Sequence, residues 1–218
     1  MRVSKWKLAF ALAAATVVTA SSARATTVTF HLDQTGTGPV GDAGTIVLDD
    51  SIGGPNTVNI LVTLNSGYEF VKTGAGDALA FNLFGDPSVT IQDITSGFTI
   101  GPTNQNEPPF GSFNYSVSCT SGCGKGASDP NPGPLSFNVV FSGITLDQFI
   151  GNSSGYYFAS DLIGPSGVGD SRLTGNVGAL GGTETTQVAA VPEPTSLVLL
   201  GTGLAFAGRK LRRRGQDA

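Results

Sequence analysis

The chain predicts an all-β fold: an antiparallel β-sandwich, with the jelly roll as one topology that fits, flanked by an N-terminal signal peptide and a short C-terminal transmembrane helix. Three observations carry this expectation. Short β-branched or alternating runs recur between turn residues, as half-buried strands do. Glycine is abundant: of 31 in the chain, only Gly201, Gly203, Gly208 and Gly215 lie beyond residue 191, a density unsuited to a helical bundle. Finally, both ends differ from the body, each pairing basic residues with an apolar run.

The N-terminal segment comes first. Arg2, Lys5 and Lys7 form a basic region, residues 8–19 an apolar one, and Ala23-Arg24-Ala25 places small residues where a signal peptidase reads them. Cleavage is expected after Ala25, so residues 1–25 are assigned to the signal peptide and Thr26 begins the mature chain. Trp6, the single tryptophan, leaves with the signal.

Nine strand-like runs follow, at residues 27–32, 44–48, 58–64, 68–71, 80–84, 89–92, 113–117, 135–141 and 155–159. Phe81 with Leu83, and Phe137 with Val139 and Phe141, recur at period two and should each face one side. Gly-Gly-Pro-Asn, Asn-Ser-Gly and Asp-Pro-Asn-Pro-Gly-Pro supply turn chemistry between the runs. Residues 144–150 suggest one helical turn, and glycine-rich residues 164–182 a last weak strand with loops. The β domain is therefore set at residues 26–182 and a polar linker at 183–190. About 160 residues suffice for one domain with a sizeable core.

Residues 191–214 have another character. Pro192-Glu193-Pro194 precedes an apolar run at 197–208, which ends at the basic cluster Arg209, Lys210, Arg212, Arg213 and Arg214. About twelve apolar residues make roughly 18 Å of helix, short against a hydrocarbon core of about 30 Å. The basic cluster should stay cytoplasmic, leaving the Pro-Glu-Pro segment outside. A marginal membrane stop with a motif just outside it suits a transpeptidase-like enzyme that pauses, cuts and discards the tail, much as a GPI-type tail is removed. An anchor that is never cut is the alternative.

In motif, apolar run and basic end, the tail resembles the PEP-CTERM sorting domain of Gram-negative bacteria, which an exosortase processes near Pro-Glu-Pro. The resemblance covers about a tenth of the chain. It implies signal peptidase and exosortase as processing partners, transient residence in the inner membrane, and delivery to the cell surface or extracellular matrix. Such substrates accompany exopolysaccharide production and biofilm formation, which makes extracellular polysaccharide a candidate partner.

With both ends removed, the charge changes. Only Lys72, Lys125 and Arg172 remain against fourteen acidic residues, giving about −11 rather than the −4 of the whole chain. Such a surface repels nucleic acid and other anionic polymers.

Chemistry-bearing motifs are sparse. Cys119 and Cys123 are the only cysteines, with three residues between them in a chain destined for an oxidising compartment, and should form a structural disulfide. A zinc site needs further ligands, and His31 is the single histidine. His31 would have to serve any nucleophile, and no Gly-x-Ser-x-Gly elbow accompanies it. Neither a calcium loop nor a phosphate-binding glycine loop is recognisable, so no metal or cofactor is assigned. Asp49, Asp50, Glu69, Asp86, Asp93, Asp147 and Asp161 are candidates by type for a glycosidase pair. Tyr68, Tyr115, Tyr156 and Tyr157 could stack on sugars, although Tyr156 and Tyr157 read first as one core and one surface residue of a strand. The sequence thus favours a non-enzymatic envelope or matrix protein with a structural or weak carbohydrate-binding role. A secreted carbohydrate-active enzyme using a carboxylate pair is the alternative.

Overall fold

The computed structural model describes residues 24–188, apart from 75, 121, 122, 124 and 125. Ala23, the Pro192-Glu193-Pro194 motif, the predicted helix at 197–208 and the basic cluster lie outside the described residues. Among the described residues no helix is long and apolar enough to cross a membrane.

Alternation in the sequence becomes sheet pairing. The sixteen strands are β1 (Arg24–His31), β2 (Gln34–Thr35), β3 (Gly44–Asp49), β4 (Thr57–Leu64), β5 (Glu69–Phe70), β6 (Leu79–Leu83), β7 (Thr90–Gln92), β8 (Phe98–Ile100), β9 (Gln105–Asn106), β10 (Ser112–Phe113), β11 (Tyr115–Cys119), β12 (Leu135–Val140), β13 (Phe149–Ile150), β14 (Phe158–Pro165), β15 (Arg172–Ala179) and β16 (Thr183–Val188). One six-stranded sheet has the order β16-β1-β3-β4-β12-β7. Its register stacks apolar residues across the strands: Ile46 lies opposite Val62, Ile60 opposite Leu48 and Phe137, and Val139 opposite Val58 and Ile91. A second, eight-stranded sheet runs β2-β15-β14-β6-β11-β8, with β13 paired to β6 and β5 to β14. Phe81 on β6 is flanked there by Tyr115 and Phe158. The pair β9–β10 stands apart from both sheets.

The two sheets share one core. Phe30 of the first meets Phe158 of the second edge to face at 4.9 Å, and Phe81 meets Phe137 at 6.0 Å. The interior is thus a sandwich core of interleaved side chains from two antiparallel sheets. The outer face of the eight-stranded sheet is covered as well. Ala80 and Ala159 point away from the main core and pack under Phe110 and Phe113, which the β9–β10 region supplies. Strand β6 is therefore buried on both faces, where the sequence suggests burial only of the Phe81–Leu83 side.

Two further differences have local causes. Residues 183–188, read from sequence as linker, form β16 beside β1. An edge strand needs backbone pairing more than apolar side chains, and the threonines of Thr-Glu-Thr-Thr suit a pleated, half-exposed surface. Residues 158–165 make a strand longer than the expected run at 155–159, because Gly164 and Asp161 interrupt its apolar pattern without breaking its ladder to β15. The expected helical turn is present as a short 3₁₀ segment, Leu146–Gln148.

Candidate functional site

The structure disperses most of the carboxylates named from sequence. Asp49 accepts from the Ser51 backbone and hydroxyl in a tight turn, and Asp50 accepts from the Thr26 N–H at 3.0 Å. Glu69 pairs with Arg172 at 2.6 Å. Asp93 accepts from the Asn138 amide at 2.8 Å, and Asp147 sits exposed in the first turn of the 3₁₀ segment. No two of these share a hydrogen-bond partner among the described residues. His31 is 55% exposed on β1, with Nδ1 3.0 Å from Asp42 Oδ2. Cys119 and Cys123 form the expected disulfide, Cα to Cα 5.5 Å, both half-cystines buried. Ala25 falls within β1.

Asp161 is the exception, and it belongs to a cluster that sequence reasoning missed. Asp77, Glu107 and Asp161 are each 0% exposed. Lys72 Nζ lies 3.2 Å from Asp77 Oδ1 and 2.6 Å from Ser118 Oγ, while the Ser116 hydroxyl donates to Asp77 Oδ2 at 2.7 Å. The Asp77 N–H donates to Glu107 Oε1 at 3.0 Å, and the Asp161 N–H donates to the Asp77 carbonyl at 2.9 Å. The Thr73 N–H and hydroxyl both donate to the Asp161 carboxylate. Gly76 lets the loop lie on this group, since a Cβ there would come within 2.6 Å of Asp161 Cβ.

Burial sets the electrostatics of the cluster. It pushes the Glu107 carboxyl up to about 8, opposed by the Asp77 N–H and assisted by the neighbouring Asp77 and Asp161 charges. It pushes Asp161 up to about 6 against the Thr73 hydrogen bonds. Glu107 is thus mostly neutral at physiological pH, and its Oε2 has no protein partner. Perturbed acids often mark active sites. Here the three carboxyls are 0% exposed and are engaged with Lys72, Thr73, Ser116 and one another's backbone. No group of three or more His, Cys, Asp or Glu side chains among the described residues is placed to hold a metal ion. The arrangement reads as an internal polar clasp tying the loop after β5 to β11 and β14. A hint was present in the sequence: an aspartate inside the apolar stretch Phe158-Ala-Ser-Asp-Leu-Ile, which a strand buried on both faces must satisfy internally.

The open features lie elsewhere. Two adjoining troughs, of about 440 Å³ and about 320 Å³, share Asp86 and Asn114 in their walls. The larger is lined by Ile91 of β7 and Ile100 of β8, the edge strands of the two sheets, so it occupies the mouth of the sandwich along one side. Asn114 donates its side-chain amide to Asp86 Oδ1, and its backbone N–H to Asn82 Oδ1 at 2.7 Å. Tyr115 lies half-buried in the wall, stacked on Phe81 at 5.5 Å, with its hydroxyl donating to the Pro87 carbonyl at 2.6 Å. Burial first, and then the Asp86 charge, raise its pKa and keep it a neutral donor.

The other tyrosines are committed to packing. Tyr68 is buried and its hydroxyl donates to the Val40 carbonyl at 2.5 Å. Tyr157 packs on Phe30 in the main core. Tyr156 packs on Phe110 in the second cluster. Both are half-buried just before β14, one against each cluster, which corrects the sequence reading of one core and one surface tyrosine.

Comparison with known proteins concerns the far end of the chain. The family model for the PEP-CTERM protein-sorting motif matches residues 190–214. No curated protein and no solved structure matches the chain. The chain carries a PEP-CTERM sorting motif over residues 190–214, the stretch that includes Pro192, Glu193, Pro194 and the basic cluster.

Proposed function

We propose that this protein is an exported, exosortase-sorted component of the cell envelope or of a biofilm and exopolysaccharide matrix, and that its β domain works without catalysis, through structure or weak contact with carbohydrate. The sorting motif at residues 190–214 carries the reading, since it marks the chain as a substrate of the exosortase export route. Signal peptidase removes residues 1–25, the apolar run holds the chain transiently in the inner membrane, and exosortase acts near Pro192-Glu193-Pro194. A body near −11 favours dispersal outside the cell and contact with uncharged rather than anionic polymers.

Two observations support a non-catalytic role. The carboxylates that do cluster are sealed, and those facing solvent are scattered over turns or engaged in ion pairs. The competing reading is hydrolysis of a glycoside by a carboxylate pair. The test is a panel of glycan, ester and peptide substrates offered to the processed protein. No turnover is expected. Turnover abolished by a single carboxylate-to-amide substitution would replace the matrix reading with the enzyme reading.

A further inference from the structure

We propose that the paired troughs along the open edge of the sandwich, divided by Asp86 and Asn114, form adjoining subsites for an uncharged oligosaccharide. The inference rests on the reading that the β domain contacts carbohydrate, and it assigns the place and the ligand class.

Position is the first argument. The larger trough lies between edge strands β7 and β8, where each sheet runs out of partners, and the smaller continues from it past Asp86 toward β13. A chain molecule lying along this side would cross both. Each volume is near the lower end of the range that small ligands occupy, about 300–1,000 Å³.

Chemistry selects the ligand. Neither trough is lined by Lys, Arg or His, and Asp86 is the single charged side chain in either wall. An anionic sugar would meet a like charge and no counter-ion. The polar lining is made of amides and hydroxyls; the Asn152 amide is taken up by Phe110, Ser112, Ser154 and Tyr156, while Asn82, Asn104 and Asn114 supply the rest. An amide offers both donors and acceptors, which suits hydroxyl groups that do the same. The larger trough adds an apolar side at Pro87, Val89 and Ile100, a surface for the C–H face of a sugar ring.

Exposure and backbone geometry point the same way. Ile100, which lines the larger trough, is 57% exposed, a branched side chain open to the apolar face of a sugar ring beside the amides. Asp86 and Asn104 hold positive φ angles of 48° and 56°, a conformation that aspartate and asparagine adopt more readily than other side-chain-bearing residues, and both line the larger trough. The Asn114 amide fixes Asp86, and the Asn104 N–H donates to the Asn114 carbonyl at 3.3 Å, so these turns are held by the trough's own floor. Asp86 keeps one carboxylate oxygen without a partner among the described residues, available to accept from a sugar hydroxyl.

The experiment uses the processed protein with neutral hexasaccharides (cellohexaose, maltohexaose, chitohexaose) and an anionic oligogalacturonate of similar length, followed by NMR titration. Binding in the millimolar range or tighter is expected for at least one neutral chain, with amide shifts at Asn114 and Gly85, and none for the anionic one. Ile100→Ala and Asn114→Ala should each weaken that binding by about tenfold, the loss of one good contact. Ile100→Ala carries the test if Asn114→Ala fails to fold, because Ile100 is solvent-exposed. Neutral binding unchanged in folded Ile100→Ala, with shifts mapping elsewhere, would overturn the site while leaving the carbohydrate reading standing. Absence of binding to every neutral chain would overturn both. Equal binding of the anionic chain would overturn the ligand class.

Discussion

Replacing Glu107 by glutamine should change how stability depends on pH more than it changes stability itself. In the folded protein burial raises this carboxyl from 4.5 to about 8. Between those values the folded state holds a proton that the unfolded chain has released, so stability falls as pH rises. The contribution is fully present below about 4.5 and is lost as pH passes through about 8. A difference of about 3.5 units at 1.36 kcal/mol each corresponds to about 5 kcal/mol in full, of which roughly 3 kcal/mol is already lost by neutral pH. Glu107 is 0% exposed, so solvent screening does not discount the figure. Asp161, raised to about 6, adds a term of the same sign, coupled to the first through Asp77 and Lys72.

Glu107→Gln keeps an oxygen to accept from the Asp77 N–H and carries no ionisable group. Its amide nitrogen would occupy the place of Oε2, which has no partner, at a cost of about 1–3 kcal/mol at every pH. The variant should therefore be less stable than the parent in mild acid and equal or more stable above about pH 8. Urea unfolding of the processed protein, followed by circular dichroism from about pH 5 to pH 9, gives both curves. Parallel curves would refute the argument, because they would mean that Glu107 takes up no excess proton on folding.

Three other expectations are open to direct measurement. Replacing Cys119 and Cys123 together by serine removes a very short covalent loop and should lower unfolding free energy by about 2 kcal/mol in the chain-entropy description; an unchanged urea midpoint would contradict it. Phe137→Ala, at a fully buried site against Phe81 between the sheets, should cost about 3–5 kcal/mol, and a loss under about 1 kcal/mol would mean that the two sheets do not share this core. Removal of residues 1–25 converts the Thr26 N–H, 3.0 Å from Asp50 Oδ1, into an ammonium beside a carboxylate, so the α-amine should titrate above its ordinary value of about 7.7–8.0 and return toward it in Asp50→Asn; identical amine-labelling profiles would count against the contact.

The strands most legible in the sequence are those with one apolar face. Val58, Ile60 and Val62 announce β4, and Phe137 with Val139 announces β12, because a sheet facing one core writes itself with period two. The eight-stranded sheet is harder to read. Its strands β6 and β14 are covered on both sides, so Ala80, Ser160 and Asp161 interrupt the alternation without leaving the interior. Strand β16 is polar throughout residues 183–187 and is held by pairing with β1, a long-range relation that local composition does not carry. Beyond the hint at Asp161, the acid cluster is hard to read for a similar reason. Asp77, Glu107 and Asp161 come from three separated segments, and only the fold brings them to Lys72. The trough is likewise assembled from three stretches whose asparagines and serines read individually as turn residues. By contrast, the sorting tail is contiguous, and its motif, apolar run and basic end stand in order within residues 190–214.

Export and sorting can be read from mass spectrometry of the protein's two termini in cells with and without the exosortase. With the enzyme, the surface or matrix fraction should contain chains that begin at Thr26 and end near Pro192-Glu193-Pro194, lacking Arg209, Lys210 and the arginines that follow. Without it, the chain should remain in the membrane fraction with those residues still attached. Surface material that retains an intact C-terminus whether or not the exosortase is present would contradict the account.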